Sequence, residues 1–193
     1  MNILALDPGK TVGAAVLENG VCTHALESAP CECATEIQHV VNMVEPHLDT
    51  VNVIVVEDVV PYGSQMSTDV ISTCKQIGAL SQAFAIPIYY LTRPEVKLHL
   101  LGRRTGTDSE IRAALVDRYG PVGTKSCPGP LYGVKGHMFA ALALATVLFD
   151  QLNGDAGLGK SLAKGLLDVQ KRRGHKPRLE IEITPYSGDM EAR

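Results

Sequence analysis

The sequence predicts an α/β domain built on a mixed five-stranded sheet, three antiparallel strands followed by parallel ones, with helices on its flanks. Three observations predict it. Three short apolar runs open the chain with only turn residues between them. Val51–Val56 is β-branched and apolar without alternation, the pattern of a strand buried on both faces. Helical and strand periods then alternate, the order that builds parallel strands joined by crossover helices.

Asn2–Leu6 reads as a buried strand, stopped by Asp7-Pro8-Gly9. Val12–Leu17 and Val21–Leu26 follow as a hairpin, because Asn19-Gly20 is the residue pair that a tight two-residue turn prefers. Thr35–Val44 carries apolar residues at 37, 40, 41 and 44, which is helical spacing. Val51–Val56 ends in Glu57-Asp58. Ser67–Ala85 is a long helix with Val70, Ile71, Cys74, Ile77, Leu80, Ser81 and Phe84 on one face. Ile86–Leu91 is the fifth strand, and Pro94–Leu101 a short helix with proline in its first turn. Asp108 caps the helix that ends at Gly120. Pro121–Gly133 is a Gly/Pro-rich loop, and Val134–Leu152 an apolar helix rich in alanine.

After residue 152 the composition changes. Gly154–Gly159 holds three glycines in six residues, 171–178 is a basic run, and Leu179–Thr184 is a candidate strand. We therefore expect one domain over 1–152 and a flexible basic extension over 153–193. The 193 residues are 45% hydrophobic and 20% charged, which is ordinary globular usage and excludes a disordered chain. With 18 Lys+Arg against 21 Asp+Glu, the net charge of −3 excludes nucleic-acid binding by bulk charge but permits a local basic face. No tryptophan and three phenylalanines argue against a base-stacking platform. Five cysteines, an odd count without a CxxC pair, predict free thiols in a reducing cytoplasm. Cys22 with Cys31 and Cys33 lacks the spacing and the fourth ligand of a zinc site. No apolar run is long enough to span a membrane.

The predicted order is that of the ribonuclease H-like fold. In that fold the first and fourth strands are adjacent, central and parallel, so Asp7 and Glu57 end neighbouring strands at the same edge, about 5 Å apart. Two such carboxylates repel unless a cation lies between them, and hard oxygen ligands select Mg²⁺ or Mn²⁺. His137 opens the last, apolar helix, where a polar ring needs a partner.

These pieces together resemble the RuvC class of Holliday junction resolvases, and more closely the RuvC-like nucleases of bacteriophages. The matching runs are Ile3–Gly9, Val55–Asp58, Thr73–Gly78, Val96–Gly102, Asp108–Leu115, Gly129–Gly133 and His137–Ala145, in the family's order over residues 1–150. The resemblance implies a homodimer that cleaves branched double-stranded DNA, a four-way junction above all, with two Mg²⁺ or Mn²⁺ ions. By position, Asp7 and Glu57 match the family's first two metal ligands, and His137, the third candidate metal ligand or else a proton-handling group, a position held there by Asp or His. The cellular enzymes carry a further acid where this chain has Ala140. Asp108 and Asp58 are the candidates to replace it, Asp108 near where those enzymes place a catalytic lysine. Lys97 falls on the family's Val-Lys pair. Lys97, Arg103, Arg104, Lys125 and Lys135 are the candidate DNA contacts, and 67–85 the candidate dimer helix. If the gene is a phage's, the site of action is the host cytoplasm.

Three other readings share these residues. A ribonuclease H-like nuclease of looser specificity, acting on other branches or on RNA–DNA hybrids, would use the same chemistry. A junction-binding protein without activity is suggested by Ala140. Asp7–Gly13 also resembles the first phosphate loop of actin-like ATPases, but those need a second such domain. The run is not a Walker loop either, so no nucleotide cofactor is expected.

Overall fold

The computed structural model describes residues 1–30, 37–60 and 67–154. The expectations for Cys31, Cys33, the basic run 171–178, the strand 179–184 and all of the extension beyond Gly154 lie outside them. Five strands form, β1 (Asn2–Asp7), β2 (Gly13–Glu18), β3 (Val21–Glu27), β4 (Val53–Asp58) and β5 (Ile88–Thr92). The helices are α1 (Gln38–Val44), α2 (Thr68–Ala83), α3 (Arg93–Leu101), α4 (Asp108–Tyr119) and α5 (His137–Gly154). The strands pair in the order β3-β2-β1-β4-β5, antiparallel for β1–β2 and β2–β3, parallel for β1–β4 and β4–β5. The expected mixed sheet is therefore present, with β1 at its middle.

Its local causes are those the sequence carries. Asn19 and Gly20 both take positive φ, 49° and 84°, the conformation a tight right-twisted hairpin requires. Ile54 and Val55 are fully buried and Val53 and Val56 nearly so, as a strand covered on both faces must be. Side chains alternate across β1, so Leu4 and Leu6 join Ala14, Val16, Ile54 and Val56 in a core shared with Val40 and Val44 of α1 and Leu80 of α2. Ile3 and Ala5 point the other way and are equally buried. The Tyr119 hydroxyl ties α4 to α5 at Thr146, 2.9 Å away. The chain divides into two compact units, Met1–Val147 and Leu148–Arg193. Of the second, the structure describes only the final turns of α5.

Three expectations change in detail. The cap of α4 is Thr107, not Asp108: Thr107 exchanges hydrogen bonds with Glu110, whose carboxylate accepts the Thr107 amide at 2.7 Å. Asp108 is the first helical residue. The last helix starts at His137 rather than Val134, after a turn in which Gly136 takes φ 47°. The face expected of α2 is buried only near its end, at Leu80 and Phe84, with Gln76 beside them. Ile71 is 41% exposed and Cys74 is exposed.

One glycine positions the start of α5. Gly13 lies opposite Asp7 in the β1–β2 ladder, and a Cβ there would overlap the backbone carbonyl of His137. Gly13→Ala is expected to destabilise the protein by roughly 1–3 kcal/mol, because backbone rather than a flexible side chain must move. Thermal denaturation reads the loss, and a variant as stable as its parent would show that this approach is not tight.

Candidate metal and nucleic-acid site

Leu6 of β1 is opposite Val56 of parallel β4. The next residue on each strand, Asp7 and Glu57, therefore ends its strand at the same edge of the sheet. Both carboxylates are largely buried, their side chains 12% and 16% exposed, and they share a hydrogen bond. Burial is the main reason that the Glu57 carboxyl is pushed up to about 8. The Asp7 charge and the hydrogen bond to Asp7 push the same way, and Arg93 opposes them. Two carboxylates buried side by side thus favour keeping a proton on Glu57.

His137 comes to the pair from the far end of the domain. Its Nδ1 is 2.9 Å from Asp7 Oδ2. A carboxylate only accepts, so Nδ1 carries the proton and donates, leaving Nε2 of a neutral ring as the acceptor. As placed, His137 serves Asp7 and fixes its orientation.

A fourth group was not legible as a site residue. Arg93, the first residue of α3, directs Nη1 to Glu57 Oε2 at 3.4 Å and Nη2 to Asp108 Oδ1 at 2.6 Å. Asp108 is thereby brought to the site, held by a cation rather than by a second acid. Thr92 caps this helix with Glu95, which accepts the Thr92 amide at 2.7 Å. Its place at the positive end of a helix, where a cation opposes the dipole, is a hint that becomes readable only once the helix is known to start at Arg93 rather than Pro94.

Asp7, Glu57, Arg93, Asp108 and His137 line one open cleft of about 800 Å³. Asp58 and Ala140 line it too. Asp58 accepts the amide of Val59 at 2.9 Å and is exposed. Position 140 presents a methyl group where the resemblance places an acid. Arg112 is on the wall, its guanidinium 4.9 Å from the centre of the Phe139 ring.

None of the five basic residues singled out from the sequence lines this cleft. Arg103 is bonded to Glu110 and to the Thr105 carbonyl. Hydrogen bonds from Thr92 hold the Glu95 carboxyl below its ordinary value, and the nearby Arg104 charge adds to them. Lys97 is half-buried on α3, while Lys125 and Lys135 are exposed between α4 and α5.

The donor set fits a divalent cation at Asp7 and Glu57. Two hard carboxylates stand together, and their mutual repulsion is what such an ion relieves. Among the described residues no group of three or more His, Cys, Asp or Glu is gathered as a finished cage. Cys22, Cys74 and Cys127 are free thiols, and burial raises Cys22 to about 11. Among the described residues no helix is long and apolar enough to cross a membrane.

No family model and no curated protein matches the chain. Among solved structures it is similar to Thermus thermophilus RuvC, with a TM-score of 0.54 and 22% identity over 78% of this chain and 95% of that one. It is also similar to T. thermophilus RuvC in complex with a Holliday junction substrate, with a TM-score of 0.54 and 19% identity over 78% of this chain and 94% of that one. These likenesses agree with the strand order, and the fold is ribonuclease H-like.

Proposed function

We propose that the chain is a metal-dependent endonuclease that cleaves four-way junctions and related branched DNA by phosphodiester hydrolysis. The observation that carries this reading is the buried Asp7–Glu57 pair at one edge of adjacent parallel strands, with His137 bonded to Asp7. The likeness to RuvC in complex with a junction supports the substrate class. Asp7 and Glu57 would hold Mg²⁺ or Mn²⁺, with His137 beside them. A cation bound there supplies a Lewis acid for the phosphate and acidifies a water nucleophile.

The chain's own residues do the rest. Asp7, held by the Nδ1–H of His137, keeps one orientation through the reaction. Nε2 of that ring is left to take or give the proton at the attacking or leaving oxygen. Lys97, Arg103, Arg104, Lys125 and Lys135 would contact phosphates away from the reacting bond, where such contacts set register rather than sequence. A second copy would dock on the exposed part of α2, where Ile71, Cys74 and Gly78 are accessible and a Cβ at Gly78 would meet nothing. Free thiols suit a protein working in a reducing cytoplasm.

A synthetic four-way junction, with fork, flap, RNA–DNA hybrid and linear controls, tests the reading with and without Mg²⁺. Paired symmetric nicks confined to the junction are expected. Equal cutting of forks, flaps or hybrids would replace junction resolution with a looser nuclease, and binding without nicks would remove the activity.

A further inference from the structure

Arg93 stands where helix electrostatics disfavours it. It is the first residue of α3, at the positive end of that helix. What holds it there is a pair of carboxylates from two other elements, Glu57 of β4 and Asp108 of α4. Its side chain is 28% exposed, so the guanidinium is neither a solvated surface charge nor sealed in the core. Asp108 is favoured where it sits, as an acid at the first turn of α4, and it is 76% exposed. The two grips therefore differ. Asp108 binds Arg93 closely, at 2.6 Å, whereas Glu57 is farther from it, at 3.4 Å, and shared with Asp7. A cation arriving at Asp7 and Glu57 competes for Glu57 and leaves the Asp108 grip in place.

Among the described residues that line the cleft, no further acid stands free to join Asp7 and Glu57. Position 140 is alanine, Asp58 is turned to its own following amide, and Asp108 is occupied by Arg93. A fixed guanidinium beside Glu57 also repels any further cation. Arg presents two N–H groups in one plane, a fork that matches phosphate oxygens.

We infer that this site takes one divalent cation, at Asp7 and Glu57, and that Arg93, held by Asp108, is its second positive charge and contacts the phosphate being cleaved. This rests on the nuclease reading above and departs from the two ions that the resemblance implies. Arg93 is then a catalytic residue and Asp108 a positioning residue that works through it.

The test uses the full chain with Mn²⁺ as the probe. Calorimetry is expected to count one Mn²⁺ per chain. The EPR spectrum should be a mononuclear six-line signal, both alone and with a four-way junction protected by phosphorothioates at the cut. Arg93→Gln should bind Mn²⁺ about fivefold or more tighter, since Glu57 loses a competing cation. The same variant should nick the junction on the order of 10²-fold more slowly. Arg93→Lys should restore the parental Mn²⁺ affinity and only part of the rate, because it keeps the charge without the fork. Asp108→Asn should move Mn²⁺ affinity little and slow nicking. Should Arg93→Gln fail to fold, the parental Mn²⁺ count and the lysine variant still decide. Two Mn²⁺ per chain, an exchange-coupled spectrum, or Arg93→Gln unchanged in affinity and rate would each overturn the inference while leaving the nuclease reading intact. A parent that neither binds Mn²⁺ nor nicks would remove that reading, and the inference with it.

Discussion

Asp7→Asn is expected to reduce junction cleavage by roughly 10³-fold or more while leaving the fold and junction binding in place. The substitution keeps the shape of the side chain and an oxygen able to accept the His137 Nδ1–H. It removes the charge that, with burial, a cation at this edge would balance. Because that charge also helps to hold the Glu57 carboxyl high, the variant should bring the Glu57 pKa down and be no less stable than the parent at pH 8. Single-turnover cleavage, gel-shift affinity in Ca²⁺ and thermal denaturation at pH 8 read the three effects. Parental cleavage by Asp7→Asn would dismiss the site, whatever the other two readings.

The second large effect is on stability against pH. Glu57 is raised from an ordinary value of 4.5 to about 8 in the folded chain. The folded state therefore holds a proton that the unfolded state has released, and stability falls as pH rises through that window. Below about pH 4.5 both states are protonated and the contribution is level; above about pH 8 the full penalty of an ionised, buried Glu57 beside Asp7 is present. Its size is on the order of a few kcal/mol. Melting temperature is expected to decline from pH 5 to pH 8.5 without divalent ions and to recover on adding Mn²⁺ at pH 8.5. Glu57→Gln should flatten the decline. A parental profile as flat as that of the variant would mean that Glu57 carries no such burden.

The central sheet was legible because its strands are written in composition. The run 53–56 is all Val and Ile, and Asn19-Gly20 sets the hairpin by its backbone preference. Asp7 and Glu57 stood out as the first acids after two apolar strands, and the element order alone made those strands neighbours. Arg93 was not legible, since its partners lie 36 and 15 residues away and no local pattern announces a pairing across elements. Asp108 was misplaced by one position because Thr and Asp are both good caps, and the choice fell to the Thr107–Glu110 exchange. The apolar stripe of α2 gave the helix but not its cover. Periodicity says which residues share a face, and only the docking angle decides how far along the helix that face meets the sheet.

The bond between Asp7 and His137 joins residues 130 positions apart. During synthesis the amino-terminal strands leave the ribosome long before the helix that bears the imidazole, and they emerge with an unsupported acidic pair. On the proposed chemistry, cutting power then arrives in a single late event, when the final helix settles on Gly13. Nascent chains and amino-terminal fragments would carry the acidic pair without the imidazole that holds Asp7.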